Sequence, residues 1–137
     1  MTRPNYELLR ECERVNKLLK KEAERQGLGT KKSLARMEEA RQNDKVAFSF
    51  WAQLEFQEYI RRELESHPTI SASLLINKGA RLLKLSPVTT KRYLAVLRSD
   101  DGPFSSFGDA VMINQNYTEI EDYWQDSSTE PAESETV

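Results

Sequence analysis

The sequence predicts a mainly α protein with a small β-hairpin near its C-terminal end. Long stretches without glycine or proline carry apolar residues at helical spacing, a Ser-Pro step starts a further helix, and a Gly-Asp pair joins two short strand-like runs. With 137 residues, 38% apolar and 31% charged, the chain suits one domain with a short appendage. That balance excludes a membrane protein and a wholly disordered chain. No apolar run approaches the ~18 residues that span a bilayer, and no signal-peptide-like stretch follows Met1. A cytoplasmic location without membrane contact is expected. One cysteine, Cys12, and one histidine, His67, give neither an internal disulfide nor a zinc ligand set, so no metal or cofactor is expected.

From Asn5 to Gln26, Leu8, Cys12, Val15 and Leu19 follow a 4-3-4 spacing along one helical face, which Leu9 and Leu18 widen. Glu7–Arg10 and Glu13–Lys17 are spaced to pair on the wet side. Such a helix is marginal alone, so its stripe must rest on a second helix or a second subunit. Gly27-Leu28-Gly29 ends it, and Thr30 or Ser33 caps the next start, giving a helical hairpin. This Gly-x-Gly follows a helix and lacks a third glycine, which excludes a nucleotide loop. From Ser33 to Ser66 the pattern is again helical, thinly apolar at Leu34, Met37 and Ala40 and densely aromatic beyond Lys45. Phe48, Ala52, Phe56, Ile60 and Leu64 step by four along one face, while Phe50, Trp51 and Leu54 open a second arc. One arc is assigned to the C-terminal domain and the other to the N-terminal helix. His67-Pro68 ends this segment, and His67 reads as a helix-end residue.

Thr69-Ile70-Ser71 is a short extended piece, followed by a helix from Ala72 to Leu85 with Leu74, Leu75, Ala80, Leu82 and Leu83 apolar. Ser86 is a good N-cap and Pro87 suits the first helical position, so Val88 to Arg98 forms another helix after a tight turn. Asp100-Asp101-Gly102-Pro103 is turn chemistry. Phe104 to Phe107 is a strand, Gly108-Asp109 a hairpin turn and Ala110 to Ile113 the returning strand.

Charge divides the chain unevenly. Residues 1–69 hold 14 basic and 12 acidic groups, residues 70–117 six and three, and residues 118–137 none and seven. The acidic pI therefore comes from the tail, while the body, at about +5, suits a polyanion. In the tail, Tyr117, Ile120 and Trp124 recur at helical spacing, and disorder is expected beyond about Gln125.

The stretch from Ala80 to Leu97 resembles the winged helix-turn-helix family of DNA-binding domains. Ala80, Leu83, Leu85, Ser86, Tyr93, Leu94 and Leu97 match its pattern of a small residue, an apolar one three on, a turn, a Ser cap and a helix with buried middle positions. Lys84 departs from the pattern, which usually has glycine there, as does Thr90, where Val or Ile is more usual. With the preceding helix, strand and hairpin, the likeness covers about residues 46–117. It implies a winged helix-turn-helix preceded by a long N-terminal helix or helical hairpin. The expected division is 1–45 for dimerisation or packing, 46–117 for the winged domain and 118–137 for an acidic tail.

By resemblance, the helix after Ser86 enters the major groove of double-stranded DNA. Lys91 and Arg92 then contact phosphate or guanine, Ser86 and Thr89 phosphate oxygens, and Val88 a thymine methyl. Lys78, Arg81 and Lys84 follow the backbone alongside. Helical spacing turns Pro87, Val88, Lys91, Arg92 and Ala95 outward; the plainer alternative for the two cations is a solvated face. The hairpin region from Ser99 to Tyr117 has no Lys or Arg, only Ser105, Ser106, Asn114, Gln115 and Asn116 as uncharged hydrogen-bonding groups, so weak contacts are expected of it. The leading expectation is a sequence-specific, dimeric DNA-binding protein, a small transcriptional regulator with no apparent effector pocket. The homodimer is placed on the N-terminal helix, with an intramolecular hairpin as the alternative, and the tail is a possible partner site. Another reading is a winged-helix interaction module within a larger replication, transposition or secretion assembly. No phosphate loop, metal cluster or nucleophile–base pair points to an enzyme.

Overall fold

A computed structural model of the chain describes residues 6–117, with side chains from Arg10 onward. Among the described residues the helices are α1 (Tyr6–Gln26), α2 (Lys31–Asn43), α3 (Lys45–Ser66), α4 (Ala72–Leu83) and α5 (Pro87–Leu97). The strands are β1 (Ile70–Ser71), β2 (Phe104–Phe107) and β3 (Ala110–Ile113). The acidic stretch 118–137, the helix expected around Ile120 and Trp124, and the side chains of Glu7, Leu8 and Leu9 lie outside the described residues.

α1 ends at two glycines with left-handed backbone, φ 69° at Gly27 and 74° at Gly29, and the Leu28 N–H donates back to the Ala23 carbonyl at 2.9 Å. Thr30 and Ser33 then cap α2 together, each hydroxyl accepting the other's backbone N–H at 3.0 Å. The pattern from Ser33 to Ser66 is not one helix. It breaks at Asp44, whose N–H closes α2 on the Ala40 carbonyl at 2.7 Å and whose Oδ1 accepts from the N–H groups of Val46 and Ala47 at 3.1 Å. Periodicity runs through this joint unbroken; the capping chemistry of aspartate marks it.

The core draws Val15 and Leu19 from α1, Met37 from α2, and Ala52, Phe56, Ile60 and Leu64 from α3. Leu75 and Leu83 of α4, Leu94 and Leu97 of α5, and Phe104, Val111 and Ile113 of the strands complete it. Thus the step-of-four face of α3 is buried from Ala52 to Leu64, and Phe48 at its start is half-buried. Of the second arc, Trp51 is met by α2, which corrects the assignment of that arc to α1: the Arg36 guanidinium lies 3.7 Å from the Trp51 ring centre. On the first face, Arg41 of α2 lies 4.3 Å from the ring centre of Phe48. Phe50 stays 58% exposed, edge-on to Trp51.

α1 meets α3 farther along, where Asn16 accepts from Arg61 at 3.0 Å and donates to the Arg61 carbonyl at 3.3 Å. Arg61 and Glu58, each 4% exposed, form a two-pronged pair at 2.6 and 2.8 Å. Glu65 and Arg62 extend it at 2.8 and 2.7 Å. On the wet side of α1 the pairs are Glu11–Arg14 and Glu22–Arg25, in place of the expected Glu13–Lys17.

β3 is the central strand of a three-stranded antiparallel sheet of order β1-β3-β2. Ile70 pairs with Val111, and β2 pairs with β3 from Phe104–Ile113 to Phe107–Ala110. The hairpin lies where its turn residues predict it. α4 stops at Leu83, two residues short of expectation, and of its predicted apolar positions Leu74 and Leu82 are exposed while Leu75, Ala80 and Leu83 are buried. Gly79 lets α4 approach α3 closely, since a Cβ there would stand 2.3 Å from the Phe56 ring.

Candidate nucleic-acid interface

α4 and α5 are joined by Lys84, Leu85 and Ser86. Lys84 takes the left-handed conformation, φ 54° and ψ 50°, and the Leu85 N–H reaches back to the Ala80 carbonyl at 2.8 Å. This is a helix-ending geometry usually given to glycine. The last carbonyls of α4 are satisfied from another element: Arg41 of α2 donates to the Leu83 carbonyl at 2.7 Å and to the Lys84 carbonyl at 3.1 Å. Sequence reading missed Arg41, because its partners lie 42 and 43 residues away.

The Ser86 hydroxyl accepts the Thr89 N–H at 3.1 Å and donates to the Thr89 hydroxyl at 2.9 Å. The hydroxyl proton of Ser86 is thus committed to the cap, which leaves Thr89 as the outward donor of the two. Thr90, unusual for its position, is fully buried, and its hydroxyl donates to the Ser86 carbonyl at 2.9 Å. It fills a core site and satisfies its own polar atom. Leu94 and Leu97 also face inward, and Tyr93 is half-buried.

Opposite them, Pro87, Val88, Lys91, Arg92 and Ala95 are exposed on one side of α5. Val88 is 67% exposed. Lys78, Arg81 and Lys84 are exposed along α4 and the turn, so the eight sequence-predicted site residues all lie on these two helices and their junction, with Thr89 half-buried.

A cleft of about 520 Å³ opens beside this face, lined by Lys91 of α5 and Arg98 just past its end, Ser73 and Asn77 of α4, and Gly108 and Asp109 of the hairpin turn. The Asp109 carboxylate is turned toward α4, where it accepts from the hydroxyls of Ser71 and Ser73, and its carbonyl takes the Ala72 N–H at 2.7 Å. The Ser71 hydroxyl holds its carboxyl below the usual aspartate range; the Ser73 contacts and the Arg98 charge add to this. Asn114 is removed from any outward role. It is buried, donating to the carbonyls of Asp100 and Gly102 at 3.2 and 2.8 Å and accepting from the Asn116 N–H at 3.0 Å, and so ties the loop after α5 to the end of β3.

A second cleft, of about 450 Å³, lies between α1 and the end of α3, with Cys12, Lys17, Lys20, Leu64, His67 and Ile113 in its lining. Burial raises the Cys12 thiol above its usual value, with the Glu11 charge adding to it, which disfavours the thiolate. His67 caps α3, its N–H donating to the Glu63 carbonyl at 3.1 Å. Compared with protein-family models, curated proteins and solved structures, the chain matches none.

Proposed function

We propose that the protein binds double-stranded DNA through a winged helix-turn-helix spanning about residues 46–117, as a small cytoplasmic transcriptional regulator rather than an enzyme. The observation that carries this reading is the α5 face, where exposed Lys91 and Arg92 stand among Pro87, Val88 and Ala95 on a helix capped by Ser86. Small and apolar neighbours let such a face enter the major groove, and two cations give it phosphate or guanine contacts. The order helix, strand, helix, turn, helix, hairpin from α3 to β3 agrees with the family plan. Arg41 and the Ser86 cap supply the stiffness that a docking helix needs.

Action as a homodimer belongs to the same proposal, because two copies present two reading helices to a two-fold site. The described stripe of α1 is buried within its own chain at Val15, Leu19 and Ala23, so the dimer would use another face. Val46 and Phe50, 82% and 58% exposed on the first turns of α3, favour that face. They also favour the second reading, a winged helix that docks through α3 in a larger assembly. The acidic stretch 118–137 would serve either as a partner segment.

Anisotropy with a random-sequence duplex tests the DNA reading. Lys91→Ala with Arg92→Ala should weaken binding and lower the slope of log affinity against log salt by about two. Equal retention of wild type and double variant at every salt concentration would reject it.

A further inference from the structure

The hairpin offers a chemistry that the cationic face lacks. Phe107, 83% exposed, stands at the end of β2 directly before a two-residue turn whose Gly108 has φ 62°. Its neighbours are small: Ser105, Ser106, Gly108 and Ala110. Asp109 is the one charge between Phe104 and Ile113, and its carboxylate is occupied by Ser71 and Ser73 at the start of α4. The tip is therefore a slim, uncharged finger ending in an aromatic ring. It carries no cation to hold a phosphate, and an apolar ring gains nothing against one.

Position gives the ring a use. Gly108 and Asp109, the residues that follow Phe107, line the same cleft as Lys91 of α5 and Arg98 just past its end, so the tip flanks the face that carries Lys91. With α5 in a major groove, an element at its flank meets the adjoining minor groove, which is about 6 Å wide. Apolar side chains act there by entering between base pairs, partly unstacking the step and kinking the duplex. The ladder from Phe104–Ile113 to Phe107–Ala110, the bond from Ala72 to Asp109 and the buried Asn114 hold the hairpin from both ends. A ring on a rigid arm can act as a wedge.

We infer that Phe107 is an apolar wedge for the minor groove, through which the protein bends its DNA and prefers an easily unstacked pyrimidine–purine step beside the site read by α5. This inference rests on the DNA reading above. It assigns the hairpin a role in sequence selection by deformability where its lack of cations predicts weak contacts.

The test uses the full chain and a random pool of short duplexes carrying a donor and an acceptor dye at opposite ends. Wild type should bring the ends closer, and the selected pool should be enriched in TA or CA/TG steps at one fixed offset. Phe107→Ala should melt as wild type does, bind about ten- to a hundredfold more weakly and lose the change in dye distance, while Phe107→Trp keeps it. If Phe107→Ala binds and bends DNA as wild type does, the wedge is overturned and the DNA reading stands. If wild type binds no duplex even at low salt, the DNA reading falls and takes the wedge with it. If Phe107→Ala instead lowers the sedimenting mass of the free protein, the ring is a contact between copies, which also overturns the wedge.

Discussion

Lys84 occupies a backbone conformation in which an L side chain costs about 1–2 kcal/mol, against the smaller entropic cost of glycine in the unfolded chain. The same residue places an exposed cation at the junction of α4 and α5. Lys84→Gly is therefore expected to raise stability by roughly 0.5–1 kcal/mol in urea denaturation and to lower the salt slope of DNA binding by about one. A variant less stable than wild type would contradict the strain; an unchanged slope would remove Lys84 from the DNA contacts. Asp109 contributes to the pH dependence at this scale. Its folded pKa is depressed, first by the Ser71 hydroxyl, so its contribution is present in full above the ordinary aspartate range and is lost as pH falls through the lower folded value. Glu11, Glu22, Glu38 and Glu65, each lowered by a hydrogen bond from an arginine, act in the same direction. Asp109→Asn should lessen the loss of stability below about pH 4, measured as melting temperature against pH.

At the scale of elements, α1 is joined to α3 by both apolar packing and a buried ionic group. Val15 and Leu19 supply the first, and Asn16, Arg61 and Glu58 the second. Arg61→Ala leaves Glu58 inside with only the exposed Arg62 to pair with it, and is expected to cost about 3–5 kcal/mol by urea denaturation. Glu58→Leu with Arg61→Met should recover most of that loss, because two apolar side chains need no partner. Failure of the pair to recover would mean that Arg61 acts mainly through Asn16 and Glu65. The joint between α2 and α3 has a different logic. Asp44 closes one helix with its N–H and opens the next with its carboxylate, so a single residue sets the angle at which Arg36 and Arg41 meet Trp51 and Phe48.

At the scale of the whole molecule, the sequence is most legible where local chemistry decides the outcome. The Thr30–Ser33 cap, the Ser86-Pro87 start and the Gly108-Asp109 turn each depend on neighbours within a few residues, and each lies where the spacing predicts. The outward set on α5 follows from helical period alone. Long-range pairing is a different matter. Nothing adjacent to Arg41, Arg61 or Asn114 in the sequence announces that they will bond to α4, α1 and the loop after α5. Leu74 and Leu82 show the converse limit, since a helical stripe indicates which face is apolar but not how wide a partner will cover it. The same limit applies to α1, whose stripe fits a second subunit and a second helix equally well until packing within the chain fills it.

The Arg41 guanidinium has a mechanical consequence. It reaches from the last turn of α2 to the bend between α4 and α5 through two carbonyl oxygens, which gives a pull or push on α2 a route to Leu83 and Lys84 beside the one through the greasy interior. The bend is thereby braced by a strut anchored far back in the chain, and whatever displaces that strut also changes the tilt at which α5 is presented.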